Sequence, residues 1–215
     1  MFVKSRMTTK VISLSPDQSV PDAQGLFKLH NLKHLPVVEN GKVIGVVSRV
    51  EVAKASPSTA STLDARELTY LLSKIKVRDI MIKNLYTVSP DMLLEEAATI
   101  MRSHRVSFLP VVEDDDRLVG VITESNVLDA FIDILGFTDR GTRLTIEVKD
   151  TGHGILSVVA GVFATCGTTI RSIALYRLPD DHAAMVFGTE LEDTTELEMA
   201  LAAAGYPVTY KLKNA

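Results

Sequence analysis

The feature that most constrains this chain is that a long part of it is written twice. The stretch His34-Leu35-Pro36-Val37-Val38-Glu39, followed by Asn40-Gly41 and by Lys42-Val43-Ile44-Gly45-Val46-Val47-Ser48, returns as Phe108-Leu109-Pro110-Val111-Val112-Glu113 and Leu118-Val119-Gly120-Val121-Ile122-Thr123. In each copy two short apolar runs flank a polar turn, and a hydroxyl residue then opens a helical pattern. The spacing predicts strand, tight hairpin, strand, helix.

The offset between the copies is regular. Met7 and Met81, Pro16 and Pro90, His30 and His104, Pro36 and Pro110 each lie 74 positions apart, and the offset becomes 75 at Gly45/Gly120 and Ser48/Thr123. One extra residue therefore sits in the second turn, where insertions are tolerated. Two such units, each too small to hide its own apolar face, are expected to pack together. Ser19 followed by Pro21 marks a helix start. Val20, Ala23, Phe27 and His30 then share a face, matched by Leu94, Ala97, Met101 and His104, and both stripes read as core. Gly25 within the first helix suggests close packing there. The stretch 56–62, rich in Ser, Thr and Pro, reads as a connector, and residues 63–74 as an amphipathic helix with Leu68, Leu71, Leu72 and Ile75 on one side. The second copy closes with a stripe of Val127, Leu128, Ala130, Phe131, Ile134 and Leu135, stopped at Gly136.

From Thr142 the pattern changes. Leu144, Ile146 and Val148 alternate as a strand, glycines at 152 and 154 turn the chain, and residues 155–165 follow as an apolar helix. Strands at 169–178 and 183–190 around a turn at 179–181, a helix at 195–204 and a last strand at 208–212 complete a βαββαβ order, a split arrangement with helices on one face of an antiparallel sheet.

Composition narrows the function. The 215 residues are 46% hydrophobic with a net charge of −4, so a core is easily built and no basic field exists to recruit nucleic acid or an anionic membrane. A single cysteine, Cys166, excludes an internal disulfide framework and fits a reducing compartment. Charges interrupt the first six residues, unlike a signal peptide. The most apolar later stretch, 155–164, is about half the roughly 20 residues a spanning helix needs. A cytoplasmic protein with no membrane segment is expected. Motifs supply no Ser/His/Asp set, no metal spacing and no Walker-type loop, so an enzyme is not expected. His153 and Cys166 read as a turn residue and a small buried residue. The acidic run Glu113-Asp114-Asp115-Asp116 lacks the spacing of a calcium loop and reads as a solvated hairpin tip.

On the doubled Leu-Pro-Val-Val and Gly-x-x-Ser/Thr motifs, the chain resembles proteins with a tandem pair of CBS domains followed by an ACT domain. The linker 67–81 makes it similar to the acetoin-utilisation regulatory proteins of bacteria. The resemblance implies an α/β (α+β) fold in which two CBS units form a pseudo-twofold pair and a ferredoxin-like ACT domain follows. The expected boundaries are CBS domain 1 at 1–60, a linker helix at 61–76, CBS domain 2 at 77–137 and ACT at 142–215.

The resemblance also implies an adenine nucleotide ligand. Ser48 and Glu51, or Thr123 and Asn126, stand at the family's hydroxyl and ribose positions, where the usual residue at the second is Asp. Backbone groups around Leu35, Pro36 and Val37, or Leu109, Pro110 and Val111, would face the adenine with help from Ser13 or Thr87. Ser48 and Thr123 read equally well as plain helix N-caps. The reach of Asn126 matches Asp, which favours the second pair. His30, His104, Arg102 and Arg105 are candidates for phosphate contact, or simply core and solvated side chains. In the ACT-like part Gly152, His153, Gly154 and Ile155 occupy the turn where the family holds a small ligand such as an amino acid. His153 replaces the family's proline there, and Ser157 breaks a dinucleotide glycine fingerprint. The function implied is a non-catalytic sensor that controls a protein partner or its own assembly, as a homodimer. The alternative is an oligomeric scaffold with vestigial clefts.

Overall fold

The computed structural model describes residues 1–55, 65–149, 154–179 and 181–214, with residues 65–69 described by backbone only. The expected connector at 56–62 and the turn residues Gly152 and His153 lie outside these. By internal contacts the chain divides into two units, Met1–Val127 and Leu128–Ala215.

In the first unit α1 (Val20–Leu29) is capped at Ser19, whose side chain accepts from the Asp22 amide while the Asp22 carboxylate accepts from the Ser19 amide at 2.8 Å. This reciprocal box satisfies two donors that a helix start leaves open. β1 (His34–Glu39) and β2 (Lys42–Ser48) form a hairpin through Asn40 and Gly41, both at positive φ (51° and 80°), the geometry that a tight two-residue turn requires. α2 (Arg49–Ala55), α3 (Ala65–Lys74) and the short α4 (Val77–Ile80) follow. The second copy repeats the plan with α5 (Leu94–His104), β3 (Phe108–Glu113), β4 (Arg117–Thr123) and α6 (Glu124–Ile134), the unit boundary falling inside α6. Its turn is a 3-10 loop at Asp114–Asp116, with Asp115 and Asp116 at positive φ, which absorbs the extra residue. The hairpins meet at their tips through Lys42 and Arg117, so the four-stranded sheet has the order β1-β2-β4-β3.

The copies do not close on their own contiguous sequence. Val3 begins a 3-10 turn at the start of the first copy, yet the amides of Val3 and Lys4 donate to the carbonyls of Met92 and Pro90 in the second, both at 2.9 Å. Reciprocally, Val77 and Arg78 donate to Gln18 and Pro16 in the first copy, at 2.9 and 3.0 Å. Thr8 then pairs with Val121, and Ile82 with Val46, before each leader returns to its own copy through Leu14 beside Val37 and Val88 beside Val111. Close approach at the crossings needs a residue without a side chain. A Cβ on Gly45 would lie 2.5 Å from the Met81 sulfur, and one on Gly120 would lie 2.7 Å from the Met7 sulfur.

The second unit carries β5 (Gly141–Lys149), α7 (Ile155–Thr165), β6 (Ile170–Arg177), β7 (His182–Thr189), α8 (Thr195–Ala203) and β8 (Val208–Asn214), all strands antiparallel in the order β6-β7-β5-β8. Leu144, Ile146 and Val148 of β5 and Met185 and Phe187 of β7 face Val159, Phe163, Leu197 and Leu201 of the two helices in one core.

Several expectations from periodicity need correction. Gly25 is exposed with nothing within 4 Å of where its Cβ would stand, because it lies about 200° around the helix from core residue Ala23. Val20, Ala23 and Phe27 are buried, but His30 is exposed because α1 ends at Leu29 and leaves it in a non-helical cap. His104 is exposed as well, with one ring face covered by Tyr86 at 3.8 Å. Leu72 is buried whereas Leu71 is exposed, and of the α6 stripe only Ala130 is buried, with Leu128, Phe131 and Ile134 exposed. Helical spacing tells which residues share a face but not whether a neighbour covers it. The acidic tip is exposed as expected, with Arg117 bonded to Glu113.

Candidate functional site: two clefts sharing an aromatic wall

The crossed leaders leave two clefts in the first unit, each built from both copies. The first, about 420 Å³, lies between the leader residues Thr8, Lys10, Val11 and Ile12, the segment Asn31–Pro36 without Leu35, and the β4–α6 corner with Thr123, Glu124, Ser125 and Asn126. The second, about 300 Å³, is its counterpart. It lies between Ile82, Asn84, Leu85 and Tyr86 of the other leader, Arg105, Val106 and Pro110, and the β2–α2 corner with Ser48, Val50 and Glu51. Both volumes fall near or within the range of small-molecule sites.

His34, Ser107 and Phe108 line both clefts. His34 and Phe108 occupy equivalent positions in the copies, and their rings stack at 5.3 Å with planes 24° apart, a wall with one cleft on either side. Burial holds the His34 imidazole below its ordinary pKa, assisted by Lys33, while the carboxylates of Glu51 and Glu124 act in the opposite direction. The wall is therefore predominantly neutral at pH 7.

The two hydroxyl corners have the same local design. Thr123 donates from its amide and its hydroxyl to Asn126 Oδ1, at 2.9 and 2.8 Å. Ser48 donates from its amide to Glu51 Oε2 at 3.1 Å and from its hydroxyl to the same oxygen, while accepting from the Val50 amide at 3.0 Å. Both pairs thus act as helix caps, and both stand in the cleft linings. The extra methylene of Glu51 does not keep its carboxylate from that position.

The other residues singled out from the sequence divide clearly. Pro36 and Pro110 line the first and second clefts, but Leu35, Val37, Leu109 and Val111 are fully buried in the core and line neither. The Pro36 carbonyl accepts from Leu14 and that of Pro110 from Val88, so those backbone acceptors are already bonded within the fold. Ser13 and Thr87 lie one residue beyond the linings, which end at Ile12 and Tyr86. Arg105 reaches the second cleft; His30, Arg102 and His104 reach neither lining. Gly154 opens α7 with a positive φ of 81°, and Ile155 is the first residue of that helix.

Sequence reading missed His34, Phe108, Lys10, Lys33, Asn84 and Tyr86. The repeat offset already pairs His34 with Phe108, Lys10 with Asn84, and Ile12 with Tyr86. What it could not reveal is that each leader crosses to the other copy, which is what brings these residues to the clefts. Among the described residues no cluster of His, Cys, Asp or Glu could hold a metal ion, and no helix is long and apolar enough to cross a membrane.

This crossed pair of strand-hairpin-helix units, with two equivalently built clefts, defines a tandem-repeat module. The chain belongs to the CBS-domain family, whose model matches residues 3–58 and 77–133. It is similar to the CBS domain-containing protein YhcV of Bacillus subtilis, 33% identical over 120 residues that make up 56% of this chain and 78% of that one. It also matches an inosine-5′-monophosphate dehydrogenase of Methanocaldococcus jannaschii, 32% identical over 119 residues, or 55% of this chain but 21% of the enzyme.

Among solved structures, CBSX2 of Arabidopsis thaliana in complex with AMP is 31% identical, with a TM-score of 0.52, 62% of this chain covered and 97% of that one. The CBS pair of protein MJ0100, in complex with 5′-methylthioadenosine and S-adenosyl-L-methionine, is 26% identical with a TM-score of 0.51, covering 61% and 95%. AcuB of Vibrio cholerae, a candidate acetoin utilization protein, is 28% identical with a TM-score of 0.54, covering 64% and 94%.

Proposed function

We propose that the first unit is a non-catalytic sensor of adenine nucleotides that controls a partner or the protein's own assembly. The observation that carries this reading is that each cleft joins a hydroxyl corner of one copy to a leader that starts the other. A ligand in either cleft bridges both copies and favours whichever arrangement it fits best, which is the thermodynamic requirement for a sensor. Thr123 with Asn126 and Ser48 with Glu51 are the residues assigned to the ligand's hydroxyls. AMP, 5′-methylthioadenosine and S-adenosylmethionine in the similar CBS pairs support adenosine as the common part.

The second unit is assigned to the ACT type from its βαββαβ order and its β6-β7-β5-β8 sheet. On that assignment, the turn containing Gly152, His153, Gly154 and Ile155 is its site for a small ligand such as an amino acid. Exposed Leu128, Phe131 and Ile134 support a homodimer. A role in acetoin utilisation rests on the likeness to AcuB alone. A scaffold with silent clefts is the second reading, favoured by the caps, since Ser48 and Thr123 are satisfied within the protein.

Calorimetric titration of the full chain with AMP, ATP, NAD and S-adenosylmethionine decides between them. Binding of an adenosine compound that weakens in Asn126→Ala or Glu51→Ala supports the sensor. Absence of heat with all four, in folded protein freed of carried-over nucleotide, supports the scaffold.

A further inference from the structure

The two clefts share a design but differ in the charge and aromatic character of their linings. The first cleft has Lys10 and Lys33 in its lining. The repeat offset places Asn84 and Ser107 at the equivalent positions, so the second cleft has no lysine. With Glu124 its only acidic lining residue and Asn126 neutral, the first cleft carries a formal charge of +1. In the second, the formal charges of the lining residues Arg105 and Glu51 cancel, and Glu51, whose side chain is 15% exposed, is itself ion-paired with Lys54 at 3.9 Å. The second cleft instead has Tyr86, at the position of Ile12. Its ring is partly exposed and is held from behind by His104 at 3.8 Å. A supported aromatic face binds flat bases and onium groups without needing charge.

Resting on the adenosine reading above, we infer that the clefts divide the ligands by charge. The first takes an adenosine bearing a phosphate chain, with Lys10 and Lys33 on the phosphates. The second takes an adenosine whose 5′ substituent carries no net negative charge, a thioether or sulfonium nucleoside, with Tyr86 as its platform. The larger volume of the first cleft, about 420 against 300 Å³, agrees with the longer ligand. Because His34 and Phe108 wall both sites, the two ligands occupy the protein together rather than in exchange.

The test is calorimetric titration of the full chain with ATP and with 5′-methylthioadenosine, each alone and each in the presence of saturating amounts of the other. The wild type is compared with Lys10→Ala/Lys33→Ala and Tyr86→Ala. The expected result is that both ligands bind at once, one of each per chain. The double lysine variant weakens ATP by roughly tenfold or more, a decade being about 1.4 kcal/mol, and leaves 5′-methylthioadenosine within about twofold. Tyr86→Ala does the reverse. ATP affinity falls with salt while that of 5′-methylthioadenosine stays level. Both lysines are exposed, so the double variant folds as the wild type does. Mutual competition, or an ATP affinity indifferent to the lysines, overturns the division while leaving the sensor standing. Failure of every adenosine compound to bind overturns the sensor reading and this inference with it.

Discussion

Truncating Val3 tests the crossing of the leaders. Val3 has no exposed surface, because it is inserted beside the turn at Pro90 and Met92 of the second copy. Val3→Ala removes two methyl groups from a fully buried site. At about 0.8 kcal/mol per group the transfer loss is about 1.6 kcal/mol, and a void that only partly collapses adds about 1 kcal/mol. The expected destabilisation is therefore about 2–3 kcal/mol, or a fall in melting temperature of about 5–10 °C for a chain of this size. Val77→Ala, equally buried against the first copy, should cost a similar amount. Lys4→Ala, which breaks an exposed ion pair to Asp91 at 2.7 Å and a cation–π contact with the Phe2 ring at 5.5 Å, should cost less than about 1 kcal/mol. Urea unfolding followed by circular dichroism gives the magnitudes, and amide exchange gives the location. Val3→Ala should loosen α5 more than α1, and Val77→Ala the opposite. A Val3→Ala loss below about 0.5 kcal/mol, or faster exchange confined to α1, would refute the crossing.

Further outcomes follow from the same structure. Gly45→Ala pushes a methyl onto Met81 and should cost about 1–3 kcal/mol; Met81→Ala in the same chain should recover part of that in a thermal melt, and absence of any recovery would place the strain elsewhere. His34 has a folded pKa below its unfolded value, so its contribution is fully present above about pH 6.5 and is lost as pH falls through the folded pKa. Stability measured against pH should show this loss in the wild type and not in His34→Phe, and NMR should find an imidazole that titrates below the ordinary histidine range. The Asp22 carboxyl is held low first by the Ser19 hydroxyl, then by the Ser19 amide. Its stabilisation is present above the unfolded carboxyl pKa and disappears as pH falls through the folded one. Ser19→Ala should cost about 1 kcal/mol near pH 7, with a smaller difference in acid; a constant difference would deny Asp22 its role.

The 74-residue offset, the hydroxyl corners and the Leu-Pro-Val-Val strands are local statements, legible because strand period, turn chemistry and capping act over a few neighbouring residues. They identified the hairpins, the core faces of α1 and α5, the βαββαβ order and the pairs Ser48/Glu51 and Thr123/Asn126. Local pattern misplaced Gly25, His30 and the exposed α6 stripe, because burial depends on what another part of the chain covers.

The sequence by itself thus determined that two like units exist and which residues stand at each strand-to-helix corner. Only the tertiary structure decided that Val3 and Val77 are exchanged between the copies, and that Gly45 and Gly120 are small to admit Met81 and Met7. It alone decided that His34 meets Phe108, residues whose spacing along the chain says nothing of contact. The physical reason is that a half-sized unit cannot bury its own apolar edge. It borrows the leader of its twin, and the clefts form where the borrowed segment passes.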